Sequence, residues 1–388
     1  MQVMSLKILM VVTYYEPHVS GLTIYVERIG EELARRGHQV TVMTSRHLPG
    51  LPAKENIRGV DVIRLPVAFR VSKGAIMPSL PVDAFRLVRQ HDVVHMHLPM
   101  AESPYIATVA GLPPRKRSII TYHCDIQLPK TPGAGAIVAA LNRLHWLAGN
   151  QVDALVTYTR DYAAHSRFLN QFPGKVFTVY PPIIAPVPDS AATAAWRTEL
   201  GLDGFRLIGF AGRFSEDKGG NYILNSVPKV LEAVPNARYV FAGEYEKVIG
   251  ENYFEKVRPL VERHREHLVF LGELRGQKLS NFYNMIDVLT LPSVNSTESF
   301  GMVQVEAMLC GTPVVASDIP GVREATRISG MGMTVPPRDS NALAAALVEV
   351  LQHSDKYATP KIDLSKSFSV GQTVDFYERL YAGARPAR

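Results

Sequence analysis

Short apolar runs alternate with stretches of helical spacing along almost the whole chain. In the first half, the runs that predict buried strands are Lys7–Val12, Gln39–Thr44, Val93–His97, Ser118–His123 and Ala154–Thr157. From Leu22 to Leu33 the apolar residues instead recur every three or four positions, which predicts a helix, and Gly37 ends it. This alternation predicts an α/β fold in which a parallel sheet is covered by helices on both faces.

A proline-rich stretch divides the chain near its middle. Tyr180–Pro188 contains four prolines, which can continue neither a helix nor a central strand. The alternation starts again behind it, with apolar runs at Leu207–Ala211, Tyr239–Ala242, Leu268–Leu271, Val288–Leu291 and Val314–Ser317. We therefore predict two Rossmann-like domains, residues 1–184 and 185–367, with the ligand site in the cleft between them. A C-terminal helix within residues 368–388 can pack back on the first domain.

Composition narrows the class of protein. The 388 residues are 46% hydrophobic and 20% charged, as in a folded globular enzyme. The only cysteines, Cys124 and Cys310, exclude a disulfide scaffold and favour a reducing compartment. No apolar run reaches the ~18–20 residues that span a bilayer, and the first run is predicted to be a buried strand rather than a signal peptide. We expect a cytoplasmic protein that is soluble or lies on the inner face of a membrane.

The positive charge is concentrated in the first half of the chain. Residues 1–184 contain 20 Lys and Arg against 12 Asp and Glu, a balance of +8, whereas residues 185–388 have a balance of −2. A basic half can face nucleic acid, anionic lipid or a phosphorylated acceptor, or it can reflect a generally basic proteome. Arg115–Arg117 in a predicted loop and the apolar positions of the predicted helix Gly135–Leu147 leave peripheral contact with an anionic membrane open.

One loop of the second half has the residues that a diphosphate needs. Phe210–Gly219 follows a predicted strand and leads into a helix. Arg213 and Lys218 supply two cations, and Gly219 lets the backbone approach a ligand at the helix N-terminus. The alternative is an ordinary strand–helix loop whose Arg and Lys are solvated.

Two glutamates lie before and inside the next candidate helix. Glu298 precedes it, the helix is predicted from Phe300, and Gly311 ends it. Glu306 stands among apolar neighbours, where a carboxylate needs a partner such as the vicinal diol of a ribose. The alternative is a helix cap at Glu298 and a salt bridge at Glu306.

Together these segments resemble family 4 of the retaining glycosyltransferases, which has the GT-B fold. Glu298 and Glu306, with Phe-Gly after the first and Gly-Thr-Pro-Val closing the helix, are similar to the family's E-x7-E signature. The Gly-Arg-Phe…Lys-Gly loop resembles its phosphate-binding loop, and Pro17–Gly21 and Glu32–Val42 resemble its N-terminal segments. The likeness covers nearly the whole chain in the right order.

The resemblance implies roles for residues of the second half. Arg213 and Lys218 would hold the donor diphosphate and stabilise the leaving group, and Glu306 would bind the ribose. The residues implied at the transferred sugar are Glu298 and the backbone N–H groups of Ser299, Phe300 and Gly301. Leu274 resembles a position that contacts the base.

The resemblance also implies roles for the first half. Gly21 would close over the phosphates, where the family commonly has a second glycine in place of Ser20. His123, in the segment Thr121–Asp125, would lie over the donor sugar near the reacting carbon, and His97 would line the acceptor side. The alternative for His123 is a satisfied histidine at a strand end.

The implied activity is metal-independent transfer with retention, from a nucleotide sugar to a glycan, lipid-linked or small-molecule acceptor. The catalytic residues implied are His123, Arg213, Lys218 and Glu298, with no cofactor and no nucleic-acid partner. No Asp-x-Asp occurs, the motif with which metal-dependent glycosyltransferases hold a cation. A GT-B sugar-nucleotide epimerase and a non-catalytic sugar-nucleotide-binding protein remain alternatives. A dinucleotide oxidoreductase is disfavoured because no Gly-x-Gly-x-x-Gly follows the first strand.

Overall fold

The computed structural model describes residues 5–71, 74–127, 133–245 and 253–384. The chain divides into two compact units: unit 1 comprises residues 1–182 and 369–388, and unit 2 comprises Ile183–Phe368. The division falls inside the proline-rich stretch, two residues before the boundary expected from the sequence. Each unit is built on its own sheet with flanking helices, which confirms the predicted α/β class.

Unit 1 contains an eight-stranded sheet. Its strands are β1 (Lys7–Val11), β2 (Gln39–Ser45), β3 (Lys54–Ile57), β4 (Val60–Leu65), β7 (Val93–Leu98), β8 (Arg117–Tyr122), β9 (Ala154–Thr157) and β10 (Val176–Thr178). The strand order is β10-β9-β8-β7-β1-β2-β4-β3, with all neighbours parallel except the edge pair β3 and β4. A separate antiparallel hairpin is formed by β5 (Phe69–Val71) and β6 (Gly74–Ile76).

Helices pack against this sheet. They are α1 (Gly21–Arg35), α2 (Leu80–Gln90), α3 (Ser103–Gly111), α4 (Ala134–Gln151), α5 (Arg160–His165) and α14 (Val370–Tyr381). Leu87 of α2 and Ile106 of α3 belong to one core with strand residues such as Met96 and Ile120. Helix α1 packs against α14, so the C-terminal end of the chain completes unit 1.

Ion pairs attach α14 to the rest of unit 1. Arg36, at the end of α1, donates to the carboxylates of Asp375 at 2.6 Å and Glu378 at 2.7 Å. Nε2 of the buried His38 lies 3.0 Å from the other carboxylate oxygen of Glu378. The last four residues of the chain, 385–388, lie outside the described residues.

Unit 2 contains a six-stranded sheet in which all neighbours are parallel. Its strands are β11 (Arg206–Ala211), β12 (Ala237–Ala242), β13 (Leu268–Gly272), β14 (Val288–Leu291), β15 (Val314–Ser317) and β16 (Gly332–Val335), in the order β13-β12-β11-β14-β15-β16. Its helices are α6 (Ser190–Glu199), α7 (Gly220–Ala233), α8 (Tyr253–Arg263), α9 (Gly276–Met285), α10 (Met302–Leu309), α11 (Val322–Ser329), α12 (Ser340–Gln352) and α13 (Leu364–Ser367). Helices α7, α8 and α12 form one core with the sheet.

The structure departs from the sequence expectations at a few elements. Four strands do not correspond to any apolar run recognised in the sequence: β3, β4, β10 and β16. Strand β3 is antiparallel to β4, so the first sheet is mixed rather than purely parallel. The helix predicted from Phe300 begins at Met302 instead. The cause is Gly301, whose φ of +79° places the backbone in the left-handed region just before the helix.

Candidate active site

Glycines shape the loop between β11 and α7. The loop carries Arg213, and Gly219 precedes α7 with a φ of +75°. A Cβ at Gly219 would lie 2.2 Å from the carbonyl oxygen of Pro292, and one at Gly220 would lie 2.7 Å from the Phe214 ring. Side chains are therefore excluded at both positions. The loop packs against the end of β14. At the start of α7, the Asn221 N–H donates to the Tyr253 hydroxyl at 2.6 Å, and the Tyr222 N–H donates to the Gly219 carbonyl at 2.9 Å.

Lys218 on this loop forms an ion pair with Glu298, which lies just before α10. Their side chains are 21% and 15% exposed, respectively. Burial lowers the pKa of Lys218, but the carboxylates of Glu298 and Asp217 outweigh both burial and the Arg213 charge, so the pKa lies above its usual value. Lys218 is therefore a permanent positive charge, and Arg213 is a second cation close enough to act on it.

Asp217 connects the two loops that carry these charges. Its carboxylate accepts a hydrogen bond from the Ser215 hydroxyl at 2.6 Å, and its backbone oxygen accepts one from Val294 N–H at 3.0 Å. The Thr297 hydroxyl lies 3.5 Å from the same carboxylate. The loop after β11 and the loop after β14 are thus held together at neighbouring strand ends.

The start of α10 is fixed by close packing. Ser299 and Phe300 are buried, and a Cβ at Gly301 would lie 2.3 Å from the Leu291 side chain. The Gln304 amide donates to the Phe300 carbonyl at 2.7 Å and to the Val322 carbonyl of α11 at 3.0 Å. The fully buried Gln304 amide thereby fixes the turn at which α10 begins. Sequence reasoning did not identify this residue.

Glu306 is buried inside α10 with only 7% exposure. Its carboxylate accepts a hydrogen bond from the Tyr283 hydroxyl at 2.8 Å, and the Tyr283 carbonyl accepts one from the Thr312 hydroxyl at 2.7 Å. Burial, followed by the charge of Glu306, raises the pKa of the Cys310 thiol to about 11. Sequence reasoning did not identify this phenol as a partner of Glu306.

Leu274 lies in the turn between β13 and α9 and is half-buried. In the sheet order β13 is separated from β11 by β12, so Leu274 is at the same carboxyl edge but two strands from the Arg213 loop. Among the predicted site residues, the structure brings Arg213, Lys218 and Glu298 close together. Ser299, Phe300 and Gly301 come directly after Glu298 in the chain, and Glu306 lies in α10, the helix that follows them.

Gly21 and Ser20 lie at the start of α1 in unit 1. Gly21 is the first residue of the helix. Ser20 has extended backbone, with a φ of −155°, and its hydroxyl accepts a hydrogen bond from Thr23 N–H at 3.2 Å. Ser20 is therefore a helix cap, and its backbone conformation requires no glycine at the position where the family commonly has one.

His123 is buried directly after β8, with 4% exposure. Its Nε2 lies 3.0 Å from Nδ1 of His97, and its Nδ1 is hydrogen-bonded to the Tyr158 hydroxyl. Burial lowers the pKa of His123 to about 3, so the ring is neutral at physiological pH. His97, expected to line the acceptor side, has no exposed surface, because its ring lies beneath the surface against His123. Sequence reasoning identified neither this pairing nor Tyr158.

One group of carboxylates has the spacing of a metal site among the described residues. Oxygens of Glu16, Glu27 and Glu31 lie within 4.8 Å of one another. The Arg58 guanidinium bonds all three, at 2.7 Å for Glu27. These residues belong to unit 1 and include none of the candidate site residues.

Every helix among the described residues is too short or too polar to span a membrane.

Comparison with known proteins identifies the family. The model of "Glycosyl transferases group 1" matches residues 206–353, and that of "Glycosyl transferase 4-like domain" matches residues 20–182. The first range contains the Arg213 loop and both glutamates, and the second contains Gly21 and His123. Two Rossmann-like units and the matches to these two models define a GT-B enzyme. The chain belongs to the group 1 glycosyltransferases.

Relatives and solved structures agree with this assignment. The chain is 29% identical to an uncharacterized glycosyltransferase of Methanocaldococcus jannaschii, over 89% of each chain. It is 28% identical to D-inositol 3-phosphate glycosyltransferase of Saccharomonospora viridis, over 85% of this chain and 80% of that one. Its fold is similar to Anabaena HepE in complex with UDP-glucose, with a TM-score of 0.76, 17% identity and coverage of 97% and 100%.

Proposed function

We propose that this glycosyltransferase moves a hexose from a nucleoside diphosphate sugar to an acceptor hydroxyl with retention of anomeric configuration and without a metal ion. The observation that carries the proposal is the ion pair of Lys218 and Glu298, which joins the phosphate-type loop to the start of α10. A cation for the diphosphate and a carboxylate for sugar hydroxyls thereby lie side by side.

The donor diphosphate is held by positive charge that belongs to the protein. Arg213 and Lys218 supply two cations, and the N-terminus of α7 supplies the positive end of the helix dipole. These groups stabilise the nucleoside diphosphate as it departs, which is the role a divalent cation has in metal-dependent enzymes. The proposal of metal independence rests on this charge.

Glu306 and Glu298 bind different parts of the donor. The Glu306 carboxylate, oriented by Tyr283, accepts hydrogen bonds from the ribose hydroxyls. Glu298 binds hydroxyls of the transferred sugar, together with backbone N–H groups at Ser299–Gly301. Leu274 covers the base from the turn before α9.

We propose that Gly21 binds the donor phosphates and that His123 contacts the donor sugar. The acceptor hydroxyl attacks the anomeric carbon on the face from which the diphosphate leaves, through an oxocarbenium-like transition state. We favour this route over a covalent intermediate because Glu298, the carboxylate proposed at the sugar, is already paired with Lys218. Closure of the site would exclude water and limit hydrolysis of the donor.

We further infer that the acceptor carries a phosphate. Unit 1, proposed to bind the acceptor, contains most of the chain's excess positive charge. The relative from Saccharomonospora viridis is named for an inositol phosphate acceptor. A glycan, a lipid-linked sugar and a small molecule all remain within this class.

An apolar surface of unit 1 beside Arg89 supports contact with an anionic membrane. Val82, Phe85 and Leu112 are 74%, 48% and 43% exposed. Arg89 donates to the Leu112 carbonyl at 3.1 Å, which joins α2 to the loop after α3. Vesicles containing phosphatidylglycerol should sediment the protein at low salt and release it at high salt, because surface attraction is screened beyond ~8–10 Å. Phe85→Ser should weaken this binding. No binding at low salt would refute it.

A donor screen tests the proposed activity. A panel of UDP, GDP, ADP and dTDP sugars is incubated with the protein, and donor hydrolysis and melting temperature are followed. A ligand at ~100 times its Kd stabilises the fold by ~2.7 kcal/mol, which a melting scan detects. Stabilisation by one nucleotide class, lost in Lys218→Ala, supports the proposal. No response to any donor at millimolar concentration contradicts it.

A further inference from the structure

A chain of side-chain hydrogen bonds runs through the interior of unit 1 from the C-terminal helix. The Tyr381 hydroxyl lies 2.8 Å from Nδ1 of His95, whose Nε2 lies 2.7 Å from the Thr121 hydroxyl. Thr121 lies 2.6 Å from the Tyr377 hydroxyl, which lies 2.7 Å from the Tyr25 hydroxyl. All five side chains are buried, so α1, α14 and two central strands share one continuous chain of bonds.

A second chain lies beside the first and contains His123. His97 and Thr121 are paired across β7 and β8, and residues two apart on a strand point to the same face. His97, His123 and Tyr158 therefore lie on the face of the sheet that also carries His95 and Thr121. The rings of His95 and His97 are 4.1 Å apart, and the Tyr25 ring meets the His123 ring edge-on at 5.0 Å.

Tyr377 stands where the two chains are connected. Its hydroxyl bridges Thr121 and Tyr25, and these lead to His123 by two routes: through His95 and His97, and through the Tyr25 ring. Removing the Tyr377 hydroxyl takes from the buried Tyr25 hydroxyl its bond to Tyr377 and leaves Thr121 bonded to His95 alone, which loosens the groups that these side chains hold.

The second chain is not arranged for stability alone. Nε2 of His97 is fully buried and has no hydrogen-bond partner among the described residues. An apolar side chain at this position would avoid the cost of a buried, unpaired nitrogen. The histidine is explained if its other nitrogen has a task, and that nitrogen holds the ring of His123.

We propose that Tyr377 is a positioning residue for the transfer reaction: its hydroxyl fixes Tyr25 and Thr121, and through them the orientation of the His123 ring. This inference rests on the proposed role of His123 at the donor sugar. It assigns to the C-terminal helix a function in the reaction as well as in the fold, because misplacing a group by a fraction of an ångström weakens transition-state contacts more than ground-state binding.

The test is Tyr377→Phe, which keeps the ring and removes one hydroxyl. Its matched control is Tyr239→Phe in unit 2, which removes an equally buried hydroxyl that lies 3.2 Å from the Ser226 hydroxyl. Both variants should lower the melting temperature, Tyr377→Phe by more, because it loses two hydrogen bonds and Tyr239→Phe loses one. Only Tyr377→Phe should lower kcat, by roughly three- to tenfold, the effect of about one hydrogen bond. The Kd of the nucleoside diphosphate should stay at the wild-type value.

A second readout does not depend on activity. The ring-nitrogen resonances of His123 in the ligand-free protein, assigned by their loss in His123→Gln, should shift in Tyr377→Phe and stay in place in Tyr239→Phe. If Tyr377→Phe does not fold, the same measurements are made on Tyr381→Phe, which removes the hydroxyl at the other end of the first chain of hydrogen bonds.

The outcomes separate the two proposals. Unchanged kcat with unchanged His123 resonances overturns the inference while leaving the proposed function in place. An equal loss of kcat in the control also overturns it, because the effect would then be general destabilisation. If wild-type protein turns over no donor, the proposed function fails, and the resonances alone decide whether Tyr377 orients His123.

Discussion

Replacing Glu306 should weaken every ligand that contains the nucleoside diphosphate. The carboxylate is nearly buried, and Tyr283 orients it at 2.8 Å. A hydrogen bond to a charged group contributes about 1.5–3 kcal/mol, so Glu306→Ala should raise the Kd by a factor of roughly 10 to 150. The free nucleoside diphosphate and the intact donor should be affected alike, because both contain the ribose.

Glu298→Ala should separate the two ligands. Glu298 is proposed to bind the transferred sugar, which the free nucleoside diphosphate lacks. The Kd of the nucleotide sugar should therefore rise roughly tenfold or more, while that of the free diphosphate changes little. Calorimetric titration of both ligands into both variants measures the difference.

Tyr283→Phe is the matched control for stability. It removes the same Tyr283–Glu306 bond but leaves the carboxylate, so it should share the loss of melting temperature that Glu306→Ala suffers and bind nucleotide far better. If Glu298→Ala weakens the bare diphosphate as much as the donor, the roles assigned to the two glutamates are wrong. If both variants only lower the melting temperature, the carboxylates are structural.

Three further results follow from the charges and burial at these sites. Donor turnover should survive excess EDTA, because Arg213 and Lys218 supply the positive charge, and a complete loss restored by magnesium or manganese would contradict this. His123→Ala should lower kcat far more than nucleotide affinity, and near-normal turnover would make His123 a structural residue. Burial, then the neighbouring Glu16, raises the pKa of Glu27 to about 8, so the folded state retains a proton that the unfolded state loses near pH 4.5. Stability should therefore fall between about pH 5 and 8 through this group, and the melting temperature of Glu27→Gln relative to wild type should rise over that range; a flat difference would refute the shift.

The sequence predicted the elements whose pattern is local. The central strands are continuous apolar runs because both faces of a parallel sheet are buried, and Ala154–Thr157, Val288–Leu291 and Val314–Ser317 have the predicted bounds. The edge strand β3 was missed because Lys54–Ile57 lies exposed on alternate residues and carries no apolar run.

The candidate site shows the same limit. Its charged residues were identified by spacing within single segments, as for Glu298 and Glu306. Their partners were not, because Tyr283 and Tyr158 look like ordinary core tyrosines in the sequence. The bond between Tyr25 and Tyr377 joins positions at opposite ends of the chain, and no linear pattern records it.

The most direct test of the central claim is the anomeric configuration of the first product. The donor identified by the screen is incubated with the protein, and proton NMR spectra taken before mutarotation show which anomer of the sugar is released or transferred. The account predicts retention of the donor's configuration, at a rate unaffected by EDTA and abolished in Lys218→Ala. Inversion, or undiminished turnover in Lys218→Ala, would contradict it.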